Sequence, residues 1–237
     1  MGREFNRNMF IMLLSIMVGV IIITFFIADL QARSDVTETL STKHSAEIKT
    51  IEEKNINFTT RFITSLGQLD MSREDRATGN YHFQLGSNWY TSAITETNET
   101  EMFEYKTIGM DNCSKAEESF LLAAANFEVA NIKFEQTKNY SHEIYYDLLD
   151  LYIDLTESGI RLTSLQANAS NYLYLLIENI TMNDFGQITF LENITELFGL
   201  FNTTMGLIAI ETGIYGEIEE QVEREYNIEG FSEFRED

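Results

Sequence analysis

With 237 residues, 44% of them hydrophobic, the chain is long and apolar enough to bury a core, which excludes disorder by composition. Its 16 basic and 38 acidic side chains leave a formal charge of −22, and no Lys/Arg cluster of the kind that binds phosphates occurs, which argues against a nucleic-acid partner. Proline is absent where average usage would supply about twelve, so the commonest helix breaker is missing and long helices are expected.

Residues 1–8 form a short polar tail. Met9 to Ala28 (MFIMLLSIMVGVIIITFFIA) carries no charge, and twenty helical residues span about 30 Å, the hydrocarbon thickness of a bilayer. The stretch is longer than the apolar core of a secretory signal. The following Asp29-Leu30-Gln31-Ala32-Arg33 offers no small-x-small cleavage pattern. A retained transmembrane anchor over 9–28 is therefore predicted. Arg3 and Arg7 precede it while Arg33 and Lys43 follow, so charge alone leaves the orientation open. Asn-x-Ser/Thr acceptors at Asn57, Asn98, Asn112, Asn139, Asn168, Asn179, Asn193 and Asn202 decide it. Composition alone predicts about three such triplets, all of these lie beyond the anchor, and glycosylation takes place outside the cytoplasm. The prediction is a cell-membrane protein with its N-terminus cytoplasmic and its C-terminal domain extracytoplasmic. Residues 1–32 hold two charges of each sign, leaving 14 basic and 36 acidic side chains for 33–237.

After the anchor, apolar residues recur at the helical period. Ile48, Ile51, Phe58, Phe62, Leu66 and Leu69 predict a stalk and first bundle helix over 29–69. Asp70 to Asn80 reads as a turn, followed by a short helix with Tyr81, Leu85 and Trp89, and Thr95 to Met110 reads as a loop. Ala116, Phe120, Ala123, Phe127, Ala130 and Phe134 fall at 4-3-4-3-4 spacing, a face of rings and gaps suited to interlock with another helix. Asn139-Tyr140-Ser141 ends that helix, with Ser141 expected to cap the next, which runs through Leu148, Leu155, Leu162 and Leu176 to about Thr181. Asn183-Asp184 is expected to cap a last helix through Phe190, Leu197, Ile208, Tyr215 and Val222. The fold class is all-α: an N-terminal transmembrane helix, then an extracytoplasmic antiparallel bundle of four to five long helices over 70–226, and an acidic tail at 227–237. Strands are not expected.

Gly199, Gly206 and Gly213 recur every seven residues and mark a possible helix-packing seam, either inside the bundle or toward a partner helix. Leu197 to Gly216 is apolar, but Glu211 and the Asn202 triplet argue against a second span. Cys113, the sole cysteine, is either buried or a possible intermolecular thiol. His44, His82 and His142 lie far apart in sequence and support no metal site, and no phosphate loop or nucleophile elbow occurs. No catalytic residue, metal or cofactor is expected, and an enzyme is not. The functional expectation is a membrane-anchored, glycosylated surface or accessory protein acting by contact with other membrane or envelope proteins or with itself. The alternative is a ligand-binding sensor ectodomain lined by Tyr81, Trp89, Tyr145, Tyr152 and Tyr172, signalling through a partner protein; a viral or fusion-type surface glycoprotein is the lesser one.

Overall fold

The computed structural model describes residues 2–228, with side chains described for 41–225. Four helices carry the chain: α1 (Gly2–Thr95), α2 (Glu99–Lys138), α3 (Tyr146–Glu178) and α4 (Thr195–Ile228). A 3-10 turn (Glu143–Tyr145) precedes α3, and a small hairpin, β1 (Ile180–Met182) and β2 (Ile188–Phe190), separates α3 from α4. The chain divides into two compact units, Met1–Lys54 and Asn55–Asp237. In the first, residues 2–54 are the N-terminal part of α1. The anchor predicted over 9–28 falls among residues whose side chains lie outside the described set, and 229–237 of the acidic tail lie outside it too.

The second unit is an up-down-up-down bundle. Ser65, Asp75 and His82 of α1 meet Thr137, Asn126 and Asn112 of α2, so the two helices run antiparallel. Asn131 meets Thr156, and the Lys106 ammonium donates to the carbonyl oxygens of Glu178 and Ile180, so α3 returns alongside α2. Ser158 and Arg161 of α3 bond Glu211 of α4, and Arg73 of α1 pairs with Glu219. Four helices therefore close around one interior.

α2 bears the seam expected of it, and the seam is longer than its phenylalanines. Gly109, Cys113, Ala116, Phe120, Ala123, Phe127, Ala130, Phe134 and Thr137 are all buried, at unbroken 4-3 spacing. The rings enter holes left by glycines. A Cβ on Gly79 of α1 would stand 2.6 Å from the Phe120 ring, and one on Gly159 of α3 would stand 2.6 Å from that of Phe127. Phe134 instead stacks on Tyr152 with ring centroids 4.7 Å apart, and Phe62 meets both edge-on.

Several local expectations are corrected. Asp70–Asn80 is no turn: α1 runs straight through it. Its inward positions Ser72 and Gly79 are buried, next to the fully buried Leu69, and the Ser72 hydroxyl donates to the Gln68 carbonyl within the helix. Small residues hold the seam there, so the stretch looks polar. Thr95–Met110 is not a loop either. Only Glu96, Thr97 and Asn98 leave the helix, because Asn98 caps α2 by accepting from the Thr100 N–H. Ser141 caps no following helix: its hydroxyl donates back to the Lys138 carbonyl at the end of α2. Asn183-Asp184 does not open α4. It turns an antiparallel hairpin with Ile180 opposite Phe190, where the Asn183 side-chain oxygen accepts from the Phe185 and Gln187 N–H groups and Gly186 takes φ +73°. α4 starts later, with Asn193 accepting from the Thr195 N–H.

Two glycine substitutions separate hole from surface. Gly67 of α1 has open space where a Cβ would go, whereas Gly159 faces the buried Phe127 ring. Gly67→Ala should stabilise by about 0.5–1 kcal/mol through helix propensity. Gly159→Ala should instead destabilise by about 1–3 kcal/mol despite the same propensity gain, both read from urea midpoints of the full chain.

Candidate functional site

α4 has two unlike sides. Inward, Tyr215 and Val222 are 4% and 5% exposed and Ile208 and Ile218 pack against the main core. Glu211 also faces inward: its carboxylate accepts from the Ser158 hydroxyl at 2.8 Å and from Arg161 Nε at 3.0 Å. Arg73 approaches from α1, donating to the Tyr215 hydroxyl and to Glu219. Burial acts to lower the Arg73 pKa, but Tyr215, Glu219 and Asp70 outweigh it and the pKa is raised. The stretch of α4 from Glu211 to Glu219 is thus pinned to both α1 and α3.

Outward, α4 shows an apolar strip. Leu200, Leu207 and Ile214, seven residues apart, are 45%, 46% and 38% exposed, and Ile210 is 63% exposed. Between them Gly199, Thr203, Gly206, Ile210 and Gly213 repeat at 4-3-4-3 spacing. The glycines do not pack inside the bundle: nothing lies within 4 Å of where their Cβ atoms would stand. The lone charge between Leu197 and Gly216 is Glu211, which is turned inward. A chain of −22 therefore presents an outward strip about five turns long with no charge on it. Among residues 41–225, whose side chains are described, this is also the one helix long and apolar enough to cross a membrane, Thr195–Glu225, by length and composition. It packs along α3, whose Asp147, Asp150, Asp154 and Glu157 fit no bilayer interior.

The remaining predicted residues are dispersed. Asn57, Asn98, Asn139, Asn168, Asn193 and Asn202 are exposed and Asn179 is half-buried, but Asn112 is 8% exposed. Its Nδ2 donates to the Ile108 carbonyl and its Oδ1 lies 3.1 Å from His82 Nδ1. His44 sits by Glu47 and His142 by Asn55. Among the described residues no group of three or more His, Cys, Asp or Glu side chains could hold a metal. The five aromatic residues expected to line a ligand site are spread over the fold, with Tyr172 half-buried on α3. Tyr81 is 60% exposed, Trp89 stacks near Tyr105, and Tyr145 and Tyr152 belong to the ring cluster around Phe58, Phe62 and Phe134.

A cavity does exist elsewhere. About 180 Å³ lies where the four helices meet, bounded by Phe120, Gln166 and Met205 among others. Periodicity gave no pointer to it, since Gln166 and Asn80 are isolated amides in long helices. Cys113 is fully buried against Gly86, which removes it as an intermolecular thiol in this fold.

Burial pushes the Cys113 thiol up to about 12, so it stays protonated and unreactive at pH 8. Native protein at pH 8 should leave an aromatic disulfide reagent unreacted for hours, and full labelling should appear with the unfolding transition in urea. Fast labelling of folded protein would place the thiol elsewhere. No known protein family, no curated protein and no solved structure matches this chain.

Proposed function

We propose that the chain is a membrane-anchored, glycosylated surface protein that acts by contact, and that the contact is the outward strip of α4 against the same strip of a second copy. The observation carrying this reading is the strip itself: Leu200, Leu207, Ile210 and Ile214 exposed beside open glycines. Three arguments favour a second copy as the occupant. A row of glycine gaps flanked by Leu and Ile knobs is complementary to itself, as a two-fold contact between identical helices requires. Two chains of charge −22 repel, so they approach best along an uncharged face. Contiguous exposed apolar surface on an otherwise charged protein marks an association site. The anchor rests on the uncharged 9–28 segment, and the outward orientation rests on the excess of acceptor triplets.

The test uses the full chain, in mild detergent and in liposomes. Because Cys113 is buried, Gly206→Cys introduces the one accessible thiol, and mild oxidation should give a disulfide-linked dimer. Leu207→Glu combined with Ile210→Glu should weaken dimerisation at least about tenfold by light scattering while leaving helicity intact. A monomer under every condition contradicts the proposal. So does a Gly206→Cys thiol that liposomes shield from a charged maleimide without cross-linking, since the strip would then face lipid.

Glycosylation has a separate signature. Mass spectrometry of protein from its native membrane should find sugar among Asn57, Asn98, Asn139, Asn168, Asn193 and Asn202 and none at Asn112, whose amide is enclosed. A bare chain at every acceptor would overturn the extracytoplasmic assignment.

A further inference from the structure

The cavity at the four-helix junction is distinct from the α4 strip, and its lining is uneven. Phe83 and Phe120 supply rings and Ala169, Met205 and Ile208 supply aliphatic wall, while Asn80 and Gln166 supply amides. Gln166 is 8% exposed. Its Nε2 donates to Asn80 Oδ1 at 2.9 Å, which orients the amide and leaves its oxygen over. That oxygen, Gln166 Oε1, is buried with no hydrogen-bond partner among the described protein groups. Such an acceptor costs about 1–3 kcal/mol when unpaired, and native proteins satisfy nearly all of theirs. Asn80 is exposed, so the cavity reaches the surface at its amide end.

We infer that this cavity binds a small, uncharged, mostly apolar ring compound that carries a hydroxyl or N–H and donates it to Gln166. Size follows from the volume of about 180 Å³, slightly above the cavity of about 150 Å³ that accommodates benzene in an engineered protein core, which admits roughly six to ten non-hydrogen atoms. Ring character follows from the two phenyl groups in the wall. Neutrality follows from the lining, which contains no charged side chain. Water alone fits poorly. The volume would hold several molecules at about 30 Å³ each, yet each needs two to four polar partners, and five of the seven lining side chains are apolar. An apolar ring displaces such water favourably, and its donor completes the orphaned amide.

The test is fluorine NMR titration of the full chain in nanodiscs with 4-fluorophenol, and with fluorobenzene and 4-fluorobenzoate as comparators. 4-Fluorophenol should bind at one saturable site, at least about tenfold tighter than fluorobenzene, and the carboxylate should not bind. Gln166→Leu should bring the phenol down to the affinity of fluorobenzene while fluorobenzene binds as well as before. Met205→Trp, which adds bulk at the wall, should abolish both. Both variants are checked for cooperative unfolding, and Met205→Trp carries the test should Gln166→Leu fail it. Absence of saturable phenol binding to the native chain would mean the cavity holds water only and would overturn the inference. Binding that survives Met205→Trp, or an unchanged phenol preference in folded Gln166→Leu, would overturn it equally. Neither result bears on dimerisation through α4.

Discussion

Aromatic rings seated over glycines hold the bundle in register. Phe120 occupies the hole at Gly79 of α1, and Phe127 occupies the hole at Gly159 of α3. Cys113 fills the space beside Gly86 one step further along the same seam. Each ring is 0–1% exposed, and deletion of a buried Phe typically costs about 3–5 kcal/mol. The glycines each give up helix propensity, about 1 kcal/mol relative to alanine, so they are kept where a ring needs the room. A slip of α2 by one seam position would set Ala over Gly and Phe over side chain, leaving voids at one layer and clashes at the next. Because α2 contacts both α1 and α3, that single row sets the position of three helices.

α4 stands outside this arrangement and is attached differently. No ring of α2 enters a glycine of α4, and the α4 glycines face open space. Its attachments are Tyr215 against Phe127, Glu211 with Ser158 and Arg161, and Arg73 with Glu219. The partly exposed Arg73–Glu219 pair adds little, and the apolar surface of Tyr215, Val222, Ile208 and Ile218 packs the helix onto the core. Adjacent residues of this helix serve opposite sides. Met205 and Ile208 border the cavity, while Gly206 and Leu207 lie on the uncharged strip.

The sequence made some of this legible and hid the rest for identifiable reasons. α2 was readable because its seam alternates Ala with Phe, so small and large both score as apolar. α1 between 70 and 93 has the same 4-3 spacing, through Ser72, Arg76, Gly79, Phe83, Gly86, Tyr90 and Ala93, but Ser, Arg and Gly do not register as a hydrophobic stripe. The partner rings lie on another helix, and only their positions explain the gaps. Ile180-Thr181-Met182 and Ile188-Thr189-Phe190 carry the β-branched and aromatic residues of strands, with Asn183 and Gly186 between them, a short hairpin signal that helix periodicity masks. The α4 glycines show a seam in their seven-residue spacing, but spacing does not say which way a seam faces. Gln166 and Asn80 stand 86 residues apart and meet only in the fold.

The ring-over-glycine register is tested most directly by a double-mutant cycle on Phe127 and Gly159. If the ring fills that hole, Phe127→Leu withdraws the obstacle and converts Gly159→Ala from destabilising to neutral or stabilising, with a coupling energy above about 1 kcal/mol. Additive effects within about 0.3–0.5 kcal/mol would mean the two positions do not touch, and the packing described here would be contradicted.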